Sequence, residues 1–383
     1  MSNNQPSLFD NQRMSFQQAI DLSVASLNEY GQRYDHWALA YSGGKDSSAT
    51  AAFVAWAIKA GKVVPPKSLT VMYADTRLEL EALQVTAWSF MDELRKDGFE
   101  TRTVLPALDD RLFVYIFGRG VPPPKNRFRW CTPQLKIEPM EAALNQRREE
   151  IGSKFLMLTG VRMGESAARD QRIAVSCSKD SGECGQGWFQ VNPPDAVSDT
   201  LAPLLHWRLC FVWDWLSFGE HRYWSLADIA EIYGGEEART GCVGCNLTDK
   251  DTALENLITK PKWAHLKPLM ELRPLFRELQ HPKYRKRKAE PAIKANGEFA
   301  KNGQRMGPLT MEAREYGLAK VLDIQSRARV DLVNAEEETR IRELIAVNTW
   351  PNGWSGEEIN ADVAINSIKV IGAHDLVVQP LLV

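Results

Sequence analysis

Residues 36–48 read His36-Trp37-Ala38-Leu39-Ala40-Tyr41-Ser42-Gly43-Gly44-Lys45-Asp46-Ser47-Ser48. The apolar run His36–Tyr41 predicts a short buried strand, Ser42-Gly43-Gly44 breaks it, and the Ala-rich stretch from Ser48 to Ala60 predicts a helix. Outward from this unit the pattern repeats. Further buried strands are predicted at Ser68–Ala74, Glu100–Leu105 and Lys154–Val161, with helices at Leu78–Lys96 and Ile137–Arg148 between them. Strands alternating with helices predict an α/β fold, a parallel sheet with helices on both faces.

A Gly-Gly pair between a buried strand and a helix lets the backbone approach an anion closely, and the first N–H groups of the helix point at it unpaired. Ser42, Ser47 and Ser48 add hydroxyl donors and Lys45 a cation, so phosphate is the natural guest. The loop is not a Walker A loop, which would need glycine where Leu39 stands and Ser or Thr where Asp46 stands. Taken alone, a Gly-rich turn without a ligand is the plainer reading.

Ser15 is the expected cap of a leading helix carrying Ile20, Val24 and Leu27 at helical spacing. Beyond Val161, Gly, Ser, Cys and Pro dominate through Pro203 and read as loops. From Asp251 the pattern is helical, at Thr252–Ile258, Pro261–Leu279, Thr310–Gln325 and Ala335–Ala346, interrupted by a basic polar linker near 281–307. The expected organisation is an N-terminal tail and helix at 1–34, the α/β core with cysteine-bearing loops at 35–250, and a helical C-terminal region at 251–383.

The chain has 383 residues, 44% hydrophobic and 25% charged, the balance of a globular protein and not of a disordered or fibrous one. No apolar run approaches the roughly 18 residues that span a bilayer, and the opening segment lacks the apolar core of a signal peptide, so a cytoplasmic location is expected. In a reducing compartment the six cysteines are metal ligands, catalytic thiols or small buried hydrophobes rather than disulfides. Cys242 and Cys245 form C-x-x-C, the spacing that offers two thiolates to one metal, with Cys131, Cys177 and Cys184 available to complete a set. Cys210, within an apolar helical run, is expected to be a buried hydrophobe. Zinc and iron–sulfur are equally compatible with the spacing. A net charge of −2 gives no overall field for a polyanion, so any nucleic-acid surface must be local. Lys125, Arg127 and Arg129 form one basic patch, and the run Lys283, Arg285, Lys286, Arg287 and Lys288, with Tyr284 among them, forms another; a solvated linker is the plain alternative for the run.

The string Ser42-Gly43-Gly44-Lys45-Asp46-Ser47 after a strand resembles the pyrophosphate loop of the PP-loop ATP pyrophosphatases, the group of sulfonucleotide reductases, thiouridine synthases and GMP-synthetase-type enzymes. Asp75-Thr76-Arg77-Leu78-Glu79 resembles the Asp-Thr motif of the sulfonucleotide-reductase branch, and Gly160-Val161-Arg162-Met163-Gly164-Glu165-Ser166 with Arg169 resembles its G-x-R-x-x-E-S-x-x-R segment. The resemblance implies an enzyme that cleaves ATP, with Mg²⁺, between its α and β phosphates. It implies a nucleotide site of Ser42, Gly43, Gly44, Lys45, Asp46, Ser47, Ser48, Asp75, Gly160, Arg162, Glu165 and Ser166, and catalytic roles for Lys45, Asp46, Arg162 and Arg169. For each arginine an ion pair with Glu165 or Asp170 is the plain alternative.

Trp130-Cys131 followed by Leu135-Lys136-Ile137-Glu138-Pro139 resembles the cluster-bearing segment of adenylylsulfate reductases, which implies a [4Fe–4S] cluster on Cys131, Cys242 and Cys245. Those reductases carry adjacent cysteines where this chain has Trp130-Cys131, so the fourth ligand must come from elsewhere. Cys184, flanked by Gly182 and Gly185, is preferred to Cys177, and either thiol could carry sulfur instead. No cysteine follows Cys245, which argues against the reductases' C-terminal thiolate chemistry. From about Trp37 to Val347 the chain resembles the sulfurtransferases of bacterial DNA phosphorothioation systems, the DndC type. The resemblance rests on Arg129 to Ile137, on Arg239-Thr240-Gly241-Cys242-Val243-Gly244-Cys245, and on Gly307-Pro308-Leu309-Thr310-Met311-Glu312-Ala313-Arg314. It implies adenylation of a DNA backbone phosphate, sulfur from a cysteine desulfurase, and other phosphorothioation-system proteins as partners. The alternatives are a tRNA- or small-molecule-thiolating PP-loop enzyme and a phosphoadenylyl-sulfate reductase.

Overall fold

A computed structural model describes residues 14–126, 128–177, 182–183, 187–235, 240–248, 250–288, 296–298 and 306–363. The chain forms two compact units, one of Met1–Asp75, Glu81–Val104 and Met140–Arg239, the other of Thr76–Leu80, Leu105–Pro139 and Thr240–Val383.

The first unit begins with α1 (Phe16–Gly31), whose N-terminus is closed by a Ser15–Gln18 capping box. Then follow β1 (His36–Tyr41), α2 (Lys45–Lys59), β2 (Ser68–Ala74), α3 (Glu81–Lys96), β3 (Glu100–Val104), α4 (Glu138–Ile151) and β4 (Phe155–Leu158). After these come α5 (Ala167–Cys177), β5 (Gly182–Glu183), β6 (Trp188–Gln190), β7 (Ser198–Ala202), α6 (Leu209–Phe218) and α7 (Ile229–Tyr233). The sheet order is β3-β2-β1-β4-β7-β6-β5. The pairs from β3 through β7 are parallel, and β6 and β5 are added antiparallel.

Central strands are buried on both faces, which is why they read as continuous apolar runs. Alternate residues separate the faces. Ala38, Met72, Val104, Phe155 and Met157 pack with Leu144 of α4, whereas Tyr41 meets Tyr73 and Phe90 of α3. Helices therefore cover both faces. The loops expected from Val161 to Pro203 are corrected by the structure: α5 and the β5–β7 extension lie there, short strands whose polar, Gly-rich residues carry little alternation.

The second unit contains α8 (Thr252–Leu257), a 3₁₀ stretch at Pro261–Glu271, α9 (Leu272–Glu278), β8 (Arg285–Arg287), β9 (Met306–Leu309), α10 (Met311–Ala328) and α11 (Ala335–Ala346). Thr310 caps α10 and an Asn334–Glu337 box caps α11. Both helices pack on a π-helical turn at Val114–Gly118. That packing draws 105–139 into this unit, so the division expected at residue 250 is replaced by a discontinuous one. Among the described residues no helix is long and apolar enough to cross a membrane.

Candidate functional site

The loop after β1 sits where a parallel sheet opens its ligand crevice, at the C-terminal ends of the strands. Gly43 has φ +72°, and a Cβ there would stand 3.2 Å from that of Ala87, so the turn takes only glycine without strain. Gly44 is the N-cap of α2 in extended conformation and offers no side-chain cap. The loop is braced from within. Ser47 Oγ donates to the Gly44 carbonyl at 3.0 Å and lies 3.1 Å from Ser42 Oγ, and the Ser48 amide donates to the same carbonyl at 2.9 Å.

The segment after β4 meets this loop through backbone. A Cβ on Gly160 would stand 2.9 Å from the Ser47 nitrogen and 3.0 Å from the Asp46 carbonyl carbon and oxygen, so only glycine permits the approach. Two residues on, Arg162 is 6% exposed. Its Nε donates to Asp46 Oδ1 at 2.5 Å and its Nη1 to the Trp207 carbonyl at 3.2 Å. Lys45 Nζ lies 3.4 Å from Asp46 Oδ2. Asp46 thus joins two cations, which leaves one net positive charge at the helix start. Asp75 is buried at the end of β2, beside β1, with Gln84 Nε2 donating to its carboxylate at 3.3 Å. Glu165 and Ser166 open the turn into α5. Arg169 pairs with Glu165 at 2.5 Å, the plain alternative for that arginine. Sequence reasoning missed Tyr233, whose hydroxyl accepts from the Lys45 amide at 3.0 Å; 188 positions separate them and no local pattern connects them.

Cys131, Cys242 and Cys245 lie within the other unit. Cys245 is near enough to raise the thiol pKa of Cys131 by charge, and Cys131 and Cys245 together that of Cys242. Burial, the largest cause, pushes Cys242 up to about 11 and raises Cys131, so both are thiols until something displaces the proton. The C-x-x-C turn is anchored by the Val243 amide to the Leu78 carbonyl at 2.7 Å and by Arg273 Nε to the Cys245 carbonyl at 3.0 Å. Lys136, 3.9 Å from Glu79, is the cation facing Cys242. Among the described residues no group of three or more His, Cys, Asp or Glu grips a single metal ion. The side chains of Cys184 and Cys177 lie outside the described residues. Cys210 is exposed, which corrects its expected burial: its neighbours Phe211 and Val212 take the inner face of α6.

The basic run is also corrected. Arg285 and Arg287 are 4% and 2% exposed and lie in β8; Arg285 donates to the Gly307 carbonyl and Arg287 to that of Val363. Burial lowers the Arg285 pKa to about 10. Alternation along the strand turns these two inward, so neither is placed to meet a phosphate, and Tyr284 is stacked on Tyr316. Lys125, Arg129 and Lys283 are exposed, Lys286 is half-buried, and Arg127 lies outside the described residues.

The pattern of the phosphoadenosine phosphosulfate reductase domain matches residues 36–247, more than half of the chain. The chain belongs to that family. A curated relative in Methanocaldococcus jannaschii, an uncharacterized protein, is 26% identical over 206 residues, 54% of this chain; the match spans 40% of that relative's length. Among solved structures, the U34-tRNA thiolase NcsA of Methanococcus maripaludis with its [4Fe-4S] cluster is similar at TM-score 0.36 and 13% identity, over 69% of this chain and 79% of that one. The phosphoadenylyl-sulfate reductase of Candida auris, in a phosphate complex, gives 0.33 and 11% over 54% and 87%. The FMN adenylyltransferase of Candida glabrata with FMN and AMPCPP gives 0.31 and 16% over 52% and 56%. At these scores the likenesses carry no argument about the site. Within the matched span the geometry joins Asp46 to Gly160 and Arg162.

Proposed function

We propose that the chain is an ATP pyrophosphatase that adenylates an acceptor for sulfur transfer, the acceptor being a DNA backbone phosphate. The observation that carries the ATP reading is the junction of Gly160 and Arg162 with Asp46 at the start of α2, where Gly44 supplies no side-chain cap. In this reading the acceptor oxygen attacks the α phosphorus, the α–β bridge breaks, and pyrophosphate leaves into the loop. The amides at the helix start and the Lys45 ammonium hold the departing charge, and Arg162, oriented by Asp46 and the Trp207 carbonyl, meets the α-phosphate. The persulfide sulfur of a cysteine desulfurase, released as hydrosulfide by a two-electron thiol reductant, then attacks the adenylated phosphorus and AMP leaves.

Mg²⁺ binds phosphate groups with only one or two protein carboxylates, and Asp75 is the carboxylate that fits; the ion would neutralise the phosphates. Cys131, Cys242 and Cys245, three thiols of one unit, are of the donor type that a [4Fe–4S] cluster takes, and such a cluster would supply a thiophilic iron for the transferred sulfur. Support for DNA comes from the resemblance to phosphorothioation sulfurtransferases and from the exposed Lys125, Arg129 and Lys283. The test compares pyrophosphate release with DNA, with tRNA and without acceptor. Stimulation by DNA is expected; stimulation by tRNA alone, or by neither, would replace DNA as the acceptor.

A further inference from the structure

The first backbone N–H of α2 is already taken. In a loop shaped to offer its amides to an anion, the Lys45 N–H donates to the Tyr233 hydroxyl at 3.0 Å, and the Lys45 ammonium stands 5.1 Å from the centre of the same ring. A Cβ on Gly44 would lie 3.4 Å from that hydroxyl, so the phenol oxygen reaches over the N-cap itself. Tyr233 is 3% exposed and sits edge-on to Trp213, with ring centres 5.3 Å apart.

We infer that Tyr233 is an internal occupant of the anion cradle: its hydroxyl accepts the hydrogen bond that a nucleotide phosphate oxygen accepts when bound, so the phosphate must displace it. A phosphate oxyanion is the stronger acceptor of the two, which drives the exchange once ligand is present. Tyr233 closes a helix of only five residues and is followed by Gly234 at φ 70°. An open pocket of ≈ 350 Å³, lined by Trp213, Ser217, Phe218, Ala230 and Gly234 among others, lies between α6 and α7. The tyrosine keeps a buried amide satisfied and covers the lysine, which restricts access of water and wrong anions to the loop.

The inference rests on reading the loop as an anion site, and one titration separates the two. Inorganic pyrophosphate is titrated with Mg²⁺ into the full-length chain and into Tyr233→Phe, which keeps the ring, its contact with Lys45 and its packing on Trp213. Removing the competing acceptor should tighten pyrophosphate binding about fivefold, the equivalent of one ordinary hydrogen bond. A purely structural tyrosine would give unchanged or weaker binding in the variant, and that result overturns the inference. Binding by neither protein overturns the reading of the loop.

Discussion

Gly160→Ala tests whether the two loops form one site. The added Cβ meets backbone atoms that cannot rotate away, the Ser47 nitrogen at 2.9 Å and the Asp46 carbonyl group at 3.0 Å. Ordinary contact begins at 3.4 Å, so the loop and the segment after β4 must part by about half an ångström. Overpacking of this kind costs about 1–3 kcal/mol of stability. Because a 1 Å misplacement costs about a hundredfold in rate, this shift should lower pyrophosphate release about tenfold, through the Asp46–Arg162 pair that bridges the two segments. Gly152→Ala is the control. It sits at φ +75° with no atom within 4 Å, so it carries backbone strain of about 1–2 kcal/mol and touches no functional residue. Both variants are compared by urea midpoint and by turnover of ATP at a temperature where each is folded. Comparable stability losses with turnover reduced only in Gly160→Ala are expected. Wild-type turnover in Gly160→Ala would refute the idea that this backbone contact sets the site.

Arg162→Ala leaves the Asp46 carboxylate beside Lys45 alone and should cost about 3 kcal/mol of stability, as breaking a buried pair does, together with loss of pyrophosphate release; a double-mutant cycle with Asp46→Ala checks that the two losses are coupled. Anaerobically purified protein should be brown, and Cys242→Ser or Cys245→Ser should bleach it; stoichiometric zinc without iron or sulfide would remove the cluster. Neutralising Lys125, Arg129, Lys283 and Lys286 should weaken DNA binding and flatten its salt dependence by about 0.7–0.9 per contact, whereas Arg285→Gln and Arg287→Gln should lower the melting temperature instead. Hydrogen bonds from Arg102 and then Arg147 hold the Glu150 carboxyl down to about 2. A depressed carboxylate contributes stability above its unfolded pKa that is lost as pH falls toward its folded one, so Glu150→Gln should flatten the acid limb of the stability curve between pH 4.5 and 2 and leave neutral pH behaviour in place.

The parallel core was legible because strands buried on both faces write themselves as apolar runs, and Ser68–Ala74 and Ala335–Ala346 match their expected bounds. The glycine turn after β1 was legible because glycine there has a local geometric reason. The β5–β7 extension was not, since strands of two or three residues show no period. Lys283 to Lys288 reads as a solvated run by composition, yet strand alternation buries Arg285 and Arg287 against carbonyls contributed by distant residues. Tyr233 was invisible for the same reason: its partner is fixed by the fold and not by spacing.

The central claim is that the loop at Ser42–Ser48 serves cleavage between the α and β phosphates of ATP. Chromatography of the products from ATP labelled at the α-phosphate decides it most directly. The account predicts labelled AMP and adenylated acceptor, with unlabelled pyrophosphate in equal total amount, all abolished in Asp46→Ala. Labelled ADP with inorganic phosphate would contradict it, as would no turnover with any of the acceptors.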